Sequence, residues 1–244
     1  MNLKLIYCFT FNLTEPHIFN RYKNQILNVL NTSIEYNKRF HEVVLYTDSY
    51  TKSFLNENIQ VILTDTSSYK FYDDFKLDIH SKLKENEILI DFDVFLNSPL
   101  SINFSDDIII DKYEDVKYFY RYERSLRQLE QYSVVNKFKS LNIRKDQMPN
   151  IGIFKINSTK LWKKYLSTYL EFRKELLSEL KTKDNPVKYS AMLGQYTLNN
   201  LLLQYSPTIF FTSNTNNYVH LNTYEKCTTP LTELLGVFKQ KQLL

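Results

Sequence analysis

Hydrophobic and polar positions follow two alternating patterns along the first part of the chain. Short apolar runs, typical of buried strands, alternate with segments that place apolar residues every three or four positions, as Ile26, Leu30 and Ile34 do in residues 18–36. The pattern predicts strands at residues 3–9, 42–47, 59–63, 88–96, 107–111, 151–156, 208–211 and 218–221. It predicts helices at residues 18–36, 72–83, 125–141, 161–181 and 187–205.

This order of elements indicates the fold class. Strands that alternate with helices predict βαβ units, and therefore an α/β fold with a mainly parallel sheet flanked by helices. The 244 residues fit one such domain, and no linker or repeat divides them. In open sheets of this kind ligands bind beyond the carboxyl ends of the strands, so candidate chemistry is expected there.

The most distinctive strand, residues 88–96, is an apolar run interrupted by Asp91 and Asp93. Ionised carboxylates are costly to bury unless they are paired or bind a metal. Because residues i and i+2 of a strand point to the same side, both carboxylates can converge on one divalent cation, or on a cation and a sugar hydroxyl. Oxygen ligands suit Mn²⁺ or Mg²⁺. The simpler alternative is a solvated strand end.

Composition narrows the classes of function. The 15% aromatic content argues against disorder, and only 3 glycines exclude a glycine-rich phosphate loop. Two cysteines, Cys8 and Cys227, cannot build a disulfide framework or a four-cysteine zinc site. A net charge of +4 is compatible with an anionic nucleotide diphosphate and gives no indication of nucleic acid. No signal peptide or membrane span is visible, which predicts a cytoplasmic protein whose membrane contact, if any, is peripheral.

Four motifs in order carry a family resemblance. They are Asp-Phe-Asp at 91–93, Asn-Ile-Gly at 150–152, Gln195, and His220 with five residues between it and Lys226. In order and spacing they resemble the motifs of nucleotide-sugar glycosyltransferases of the GT-A fold. The resemblance extends to the retaining group of glycogenin and the lipopolysaccharide galactosyltransferases, and to bacterial glycosyltransferase-like proteins with an Asp-x-Asp-Val-Phe-Leu strand. It implies a GT-A domain over residues 1–226, followed by a tail at 227–244.

The resemblance also implies a role for each motif residue. Asp91 would hold the metal or the ribose of the donor, Asp93 would hold the metal, and His220 would be the third ligand of Mn²⁺ (or Mg²⁺). Lys226 would contact the diphosphate. Thr10 and Asp48 lie at the ends of the first two predicted strands, where they would contact the nucleoside of the donor.

The remaining carried-over residues belong to the donor sugar and its acceptor. Asn150 and Gly152 would line the sugar pocket, although they also fit a simple turn in which glycine supplies a positive φ. Gln195 would lie at the reactive face of the donor sugar, and Lys76 would be a basic residue against the donor. Gln195 also fits a helix-surface amide, and Lys76 also fits a solvated lysine.

Two departures from the family pattern bear on activity. Family members usually carry Asp or Glu directly before the glutamine, where this chain has Gly194, and the Pro-Trp that often follows the lysine is replaced by Cys227-Thr228. The expected activity is metal-dependent transfer of a hexose from a UDP-sugar to a glycan, glycolipid or protein acceptor, with retention by analogy. Two rivals are a two-metal nucleotidyltransferase or other phosphoryl-transfer enzyme, and a catalytically degenerate protein that binds nucleotide sugars.

Overall fold

The computed structural model describes residues 2–14, 16–56, 58–115, 132–133, 147–180 and 190–221. Its strands are β1 (Lys4–Cys8), β2 (Glu42–Thr47), β3 (Val61–Leu63), β4 (Glu87–Ile90), β5 (Val94–Leu96), β6 (Ile108–Asp115), β7 (Gln147–Ile156), β8 (Ile209–Phe211) and β9 (Tyr218–His220). Its helices are α1 (Pro16–Asn37), α2 (Ser49–Lys52), α3 (Tyr72–His80), α4 (Thr159–Glu179) and α5 (Ser190–Tyr205). Short 3-10 turns cover Phe11–Leu13 and Thr212–Asn214.

The chain folds into two compact units, neither of which is one continuous stretch of sequence. The first is formed by the described residues among 2–68, 82–102 and 212–221, and the second by the described residues among 69–81 and 103–211. The predicted boundary between a domain at 1–226 and a tail at 227–244 stays a prediction, because residues 222–244 lie outside the described part. The predicted helix at 125–141 lies almost wholly outside it as well.

The first unit contains a parallel sheet in the order β3-β2-β1-β4. Strand β1 pairs in parallel with β2 and with β4, so that Ile6 lies opposite both Val44 and Leu89. These residues are almost fully buried, as parallel strands covered on both faces must be. Helix α1 connects β1 to β2 and buries the stripe of Ile26, Leu30 and Ile34 that the sequence pattern predicts.

The first unit also contains a small antiparallel sheet. Strand β5 pairs with β9, with Val94 opposite His220 and Leu96 opposite Tyr218. Sequence reasoning predicts one continuous strand over residues 88–96, and this prediction is wrong. Strand β4 ends at Ile90, and residues 91–93 form a turn that leads the chain into β5 of the small antiparallel sheet.

The second unit combines α3, α4 and α5 with three strands in the order β7-β6-β8. Strand β6 pairs antiparallel with β7 and parallel with β8. The register of β6 and β7 shifts near Ile110 and Lys112. Gly152 lies inside β7 and has no positive φ, so the alternative of a glycine turn with positive φ is wrong. With the parallel strands of both units and their flanking helices, the predicted α/β class is confirmed.

Candidate functional site

The turn after β4 brings three potential metal ligands together. Ligand atoms of Asp91, Asp93 and His220 all lie within 4.8 Å of one another. The Nε2 atom of His220 is 3.5 Å from Oδ1 of Asp93, whose side chain is fully buried. Two carboxylates and an imidazole are a donor set that fits Mn²⁺. The three residues therefore lie together, as the sequence motifs predict, and their role as metal ligands stays a prediction.

The convergence is produced by the turn and by the second sheet, and not by alternation along one strand. The backbone N–H of Val94 donates to the carbonyl of Asp91 at 3.2 Å, which closes the turn. The N–H of Leu221 then donates to the carbonyl of Asp93 at 3.0 Å. Because β5 and β9 are hydrogen-bonded neighbours, the end of β9 places His220 beside the turn.

Thr10 and Asp48 also come together, but in a different chemical setting. Asp48 follows β2 and caps α2, accepting from the N–H of Thr51 at 2.9 Å and from its hydroxyl at 2.8 Å. The Thr10 hydroxyl donates to the same carboxylate. Both side chains are buried, so the polar atoms predicted for the nucleoside already have partners in the protein. Their role toward a nucleoside stays a prediction.

The predicted residues of the second unit are also buried. The Lys76 ammonium donates to the carbonyl of Ile151 at 2.7 Å. Asn150 donates to Glu114 at 2.6 Å, and its side-chain oxygen accepts from the N–H of Gly152 at 2.7 Å. These contacts tie Lys76 and the Asn150–Gly152 segment together. Their roles toward a sugar stay predictions, and Lys226 lies outside the described residues.

A carboxylate that sequence reasoning missed lies beside Gln195. Asp73 on α3 accepts a hydrogen bond from the N–H of Gly194 at 2.8 Å. A Cβ at position 194 would lie 2.6 Å from Oδ2 of Asp73, so this carboxylate occupies the space that a side chain at 194 would need. Both Asp73 and Gln195 are nearly fully buried. In the sequence, the close approach of Asp73 to the α5 backbone is indicated only by a glycine within an otherwise apolar helix.

Asp73 changes the electrostatics of its surroundings. Burial, together with the negative charge of Asp73, raises the pKa of Tyr165 and of Tyr169 well above their usual values. Tyr165 therefore stays protonated and donates to the carbonyl of Gly194 at 3.2 Å. The first part of α5 is thus held at a backbone N–H by a carboxylate and at a carbonyl by a phenol.

A second buried titratable group, His80 of α3, is structural. Its Nε2 accepts from the N–H of Ile156 at 2.9 Å, and its ring stacks on Trp162 with 4.0 Å between centroids. Burial, and then the charges of Lys155 and Lys76, lower the pKa of His80 to about 3. The imidazole is therefore neutral at neutral pH, which matches its role as an acceptor.

Comparisons with known proteins agree with this architecture. No protein-family profile matches the chain, and no curated sequence matches it. Among solved structures, the chain is similar to the galactosyltransferase LgtC in complex with donor and acceptor sugar analogs, with a TM-score of 0.52, 11% identity, and coverage of 98% of this chain and 96% of that one. Mouse xyloside xylosyltransferase 1 in its apo form has a TM-score of 0.46 at 10% identity, with coverage of 98% of this chain and 93% of that one. At this level of identity the likeness to LgtC establishes the fold, and the predicted GT-A fold is confirmed.

No described helix combines the length and the apolar character that crossing a membrane requires.

Proposed function

We propose that this protein is a metal-dependent glycosyltransferase that moves a hexose from a UDP-sugar to a glycan or glycolipid acceptor, with retention at the anomeric carbon. The observation that carries the proposal is the convergence of Asp91, Asp93 and His220 within 4.8 Å, on the fold that this chain shares with a galactosyltransferase. The choice of UDP, of a hexose and of retention is supported by the motif resemblance alone.

In this proposal the three converging side chains hold Mn²⁺ or Mg²⁺. The bound ion would stabilise the negative charge that develops on the diphosphate leaving group. Burial of Asp93 keeps water away from one side of the site, and this strengthens its electrostatic interactions. His220 lies opposite Val94 in the ladder of β9 and β5, and the N–H of the next residue, Leu221, donates to the carbonyl of Asp93, so the backbone that carries the imidazole is positioned before a ligand arrives.

The residues beside Gln195 would serve the sugar. Gln195 offers both an amide donor and an amide acceptor for hydroxyl groups. The contacts of Asp73 and Tyr165 with Gly194 fix the backbone of the preceding residue. Asn150 is fixed by Glu114 and Gly152 in the same way. A preorganised set of polar groups costs little reorganisation when the transition state forms.

The test is a UDP-release assay with UDP-glucose and UDP-galactose, with Mn²⁺ or with EDTA. We expect slow hydrolysis that requires the metal, since water can replace an absent acceptor. Asp93→Asn should lower it by about 100-fold or more, because one metal ligand is lost. The matched control is Asp65→Asn, an exposed carboxylate of the same unit that should leave the rate unchanged.

Other outcomes identify the rival functions. Mn²⁺-dependent binding of UDP-sugars without hydrolysis, and without transfer in an acceptor screen, would support a nucleotide-sugar-binding protein. Release of pyrophosphate from UTP and a sugar phosphate would support a nucleotidyltransferase. Turnover that is equal in Mn²⁺ and EDTA would contradict the proposal.

A further inference from the structure

On the edge of β5 that faces away from β9, a side chain makes the hydrogen bonds that a neighbouring strand would make. Among the described residues, β5 and β9 form a sheet of two strands, so each has one edge without a neighbouring strand. The bonds from Leu221 N–H to Asp93 and from Asn97 N–H to Asn217 show that residues 93 and 97 face β9. In an antiparallel pair the alternate residues face the other way, so the backbone polar groups of Val94 and Leu96 point away from β9.

Asn37, the last residue of α1, meets both of these groups. Its Nδ2 donates to the carbonyl of Val94 at 2.8 Å, and its Oδ1 accepts from the N–H of Leu96 at 2.8 Å. One side-chain amide thus bonds the carbonyl of residue i and the N–H of residue i+2, the two groups that a single residue of a parallel neighbouring strand would bond with its own N–H and carbonyl. The Asn37 side chain is fully buried, where unmade backbone bonds would be costly.

A closed hydrogen-bond network fixes the orientation of the Asn37 amide. Ser33 donates its single hydroxyl proton to the carbonyl of Val94 at 2.8 Å. The 3.1 Å contact between Tyr7 and Ser33 is therefore donated by Tyr7, since the Ser33 proton is already used. Asn37 Nδ2 donates its second proton to the Tyr7 oxygen at 2.6 Å. Both amide protons, the amide oxygen and both hydroxyl protons are used, which leaves one favoured arrangement.

Apolar packing brings α1 to this edge. Val29 of α1 is buried in one cluster with Phe95 of β5 and Leu221, which follows β9. The Tyr36 ring packs edge-on to Phe95 at 6.2 Å between centroids. Helix α1 is therefore the element against which the small sheet of β5 and β9 packs.

We propose that Asn37 is a positioning residue for the metal centre. It bonds the backbone directly after Asp93, in the strand whose first residue, Val94, is paired with His220. Displacing β5 from α1 would move the Asp93 carboxylate and the imidazole relative to Asp91. The proposal rests on the proposed metal-dependent function and adds to it the group that sets the geometry of the ligands.

The test measures Mn²⁺ affinity by the electron paramagnetic resonance of free Mn²⁺. Asn37→Asp keeps the size and the acceptor for Leu96 but places a second oxygen against the carbonyl of Val94. We expect Asn37→Asp and Asn37→Ala to weaken Mn²⁺ binding by about 10-fold or more, the size of effect seen when a residue that orients a metal ligand is lost. Ser33→Ala removes one bond to Val94 and keeps the amide, so its effect should be smaller.

A control of matched stability separates positioning from simple destabilisation. Ile34→Ala removes a fully buried side chain from the same helix and touches none of these hydrogen bonds. It should lower the melting temperature at least as much as Asn37→Ala while changing Mn²⁺ affinity by less than about twofold. Equal loss of affinity in Ile34→Ala, or wild-type affinity in both Asn37 variants, would overturn the proposal.

Amide exchange of the wild type gives a measurement that does not depend on a variant. The N–H of Leu96 should exchange slowly, because Asn37 covers it, and exchange as fast as that of an open sheet edge would contradict the proposal. The two hypotheses fail separately. If the wild type binds no Mn²⁺, the proposed function fails. If it binds Mn²⁺ and the Asn37 variants bind equally well, only the positioning role fails.

Discussion

Asp48 and Asp93 follow two strands of one parallel sheet, β2 and β4, which lie on either side of β1, yet their surroundings differ in kind. Asp48 comes directly after β2, and its oxygens accept hydrogen bonds from the hydroxyls of Thr10 and Thr51 and from the Thr51 N–H. Asp93 comes three residues after β4 and lies with a second carboxylate and an imidazole. Neutral donors around a buried carboxylate stabilise the protein fold. A second carboxylate close by costs stability until a cation binds, so this arrangement is typical of a metal centre.

Position at a strand end does not by itself distinguish a candidate metal ligand from a helix cap. Both aspartates fit the rule that chemistry lies beyond the carboxyl ends of parallel strands. What separates them is the set of groups that the fold brings to each carboxylate.

His80 is a buried imidazole that, like Asp48, has its partners within the protein fold, and its protonation should affect stability. Its pKa is about 3 in the folded state and about 6.5 when unfolded, so the unfolded chain binds an extra proton between these values. The stability that neutral His80 contributes is present above pH 6.5 and is lost as the pH falls toward 3, by at most about 1.4 kcal/mol per pH unit. Urea unfolding of wild type and of His80→Gln from pH 4 to 8 should show a steeper loss in the wild type. Parallel curves would contradict the assignment.

Asp48→Ala tests the structural member of the pair. It removes the cap of α2 and leaves buried hydroxyls of Thr10 and Thr51 without their acceptor. We expect a loss of about 2–3 kcal/mol in the free energy of unfolding, with Mn²⁺ affinity unchanged. Chemical denaturation with and without Mn²⁺ measures both quantities. A large fall in Mn²⁺ affinity would show that Asp48 belongs to the metal centre.

Asp73 and Gly194 should be energetically coupled. In the wild type, Gly194→Ala gains about 1 kcal/mol of helix propensity but forces a Cβ against the Asp73 carboxylate, with a net loss of about 1 kcal/mol. With Asp73→Ala in place, the same change should stabilise the protein. A double-mutant cycle by urea unfolding should give a coupling of about 1 kcal/mol or more. Additive effects would show that the two residues are independent.

Much of the fold could be predicted from the sequence, because burial sets simple patterns. Strand β2 has the predicted bounds, residues 42–47, and α1 differs from its prediction by two residues at one end and one at the other. Both elements present a strong apolar signal. The break after Ile90 could not be predicted. Residues 88–90 of β4, before the turn, and the residues of β5, after it, are all apolar, so in the sequence they look like one strand although they belong to two sheets.

The site could be predicted only as far as residue type and order allow. Asp91, Asp93 and His220 were expected together, and they lie together. Asp73 bonds Gly194, which is 121 positions away in the sequence. Asn37 bonds Leu96 at the edge of β5, which is 59 positions away. Such contacts depend on how helices pack in the folded protein, and the spacing of residues along the sequence does not predict that packing.

Titration of Mn²⁺ into wild type and Asp93→Asn measures whether Asp91, Asp93 and His220 hold a divalent cation. Free Mn²⁺ is followed by electron paramagnetic resonance, without any nucleotide. We expect one ion per chain in the wild type and an affinity lower by about 100-fold or more in Asp93→Asn, while the apo form of the variant stays as stable as the apo wild type or more so. Equal Mn²⁺ affinity in the two proteins would contradict the assignment of these three residues to a metal centre.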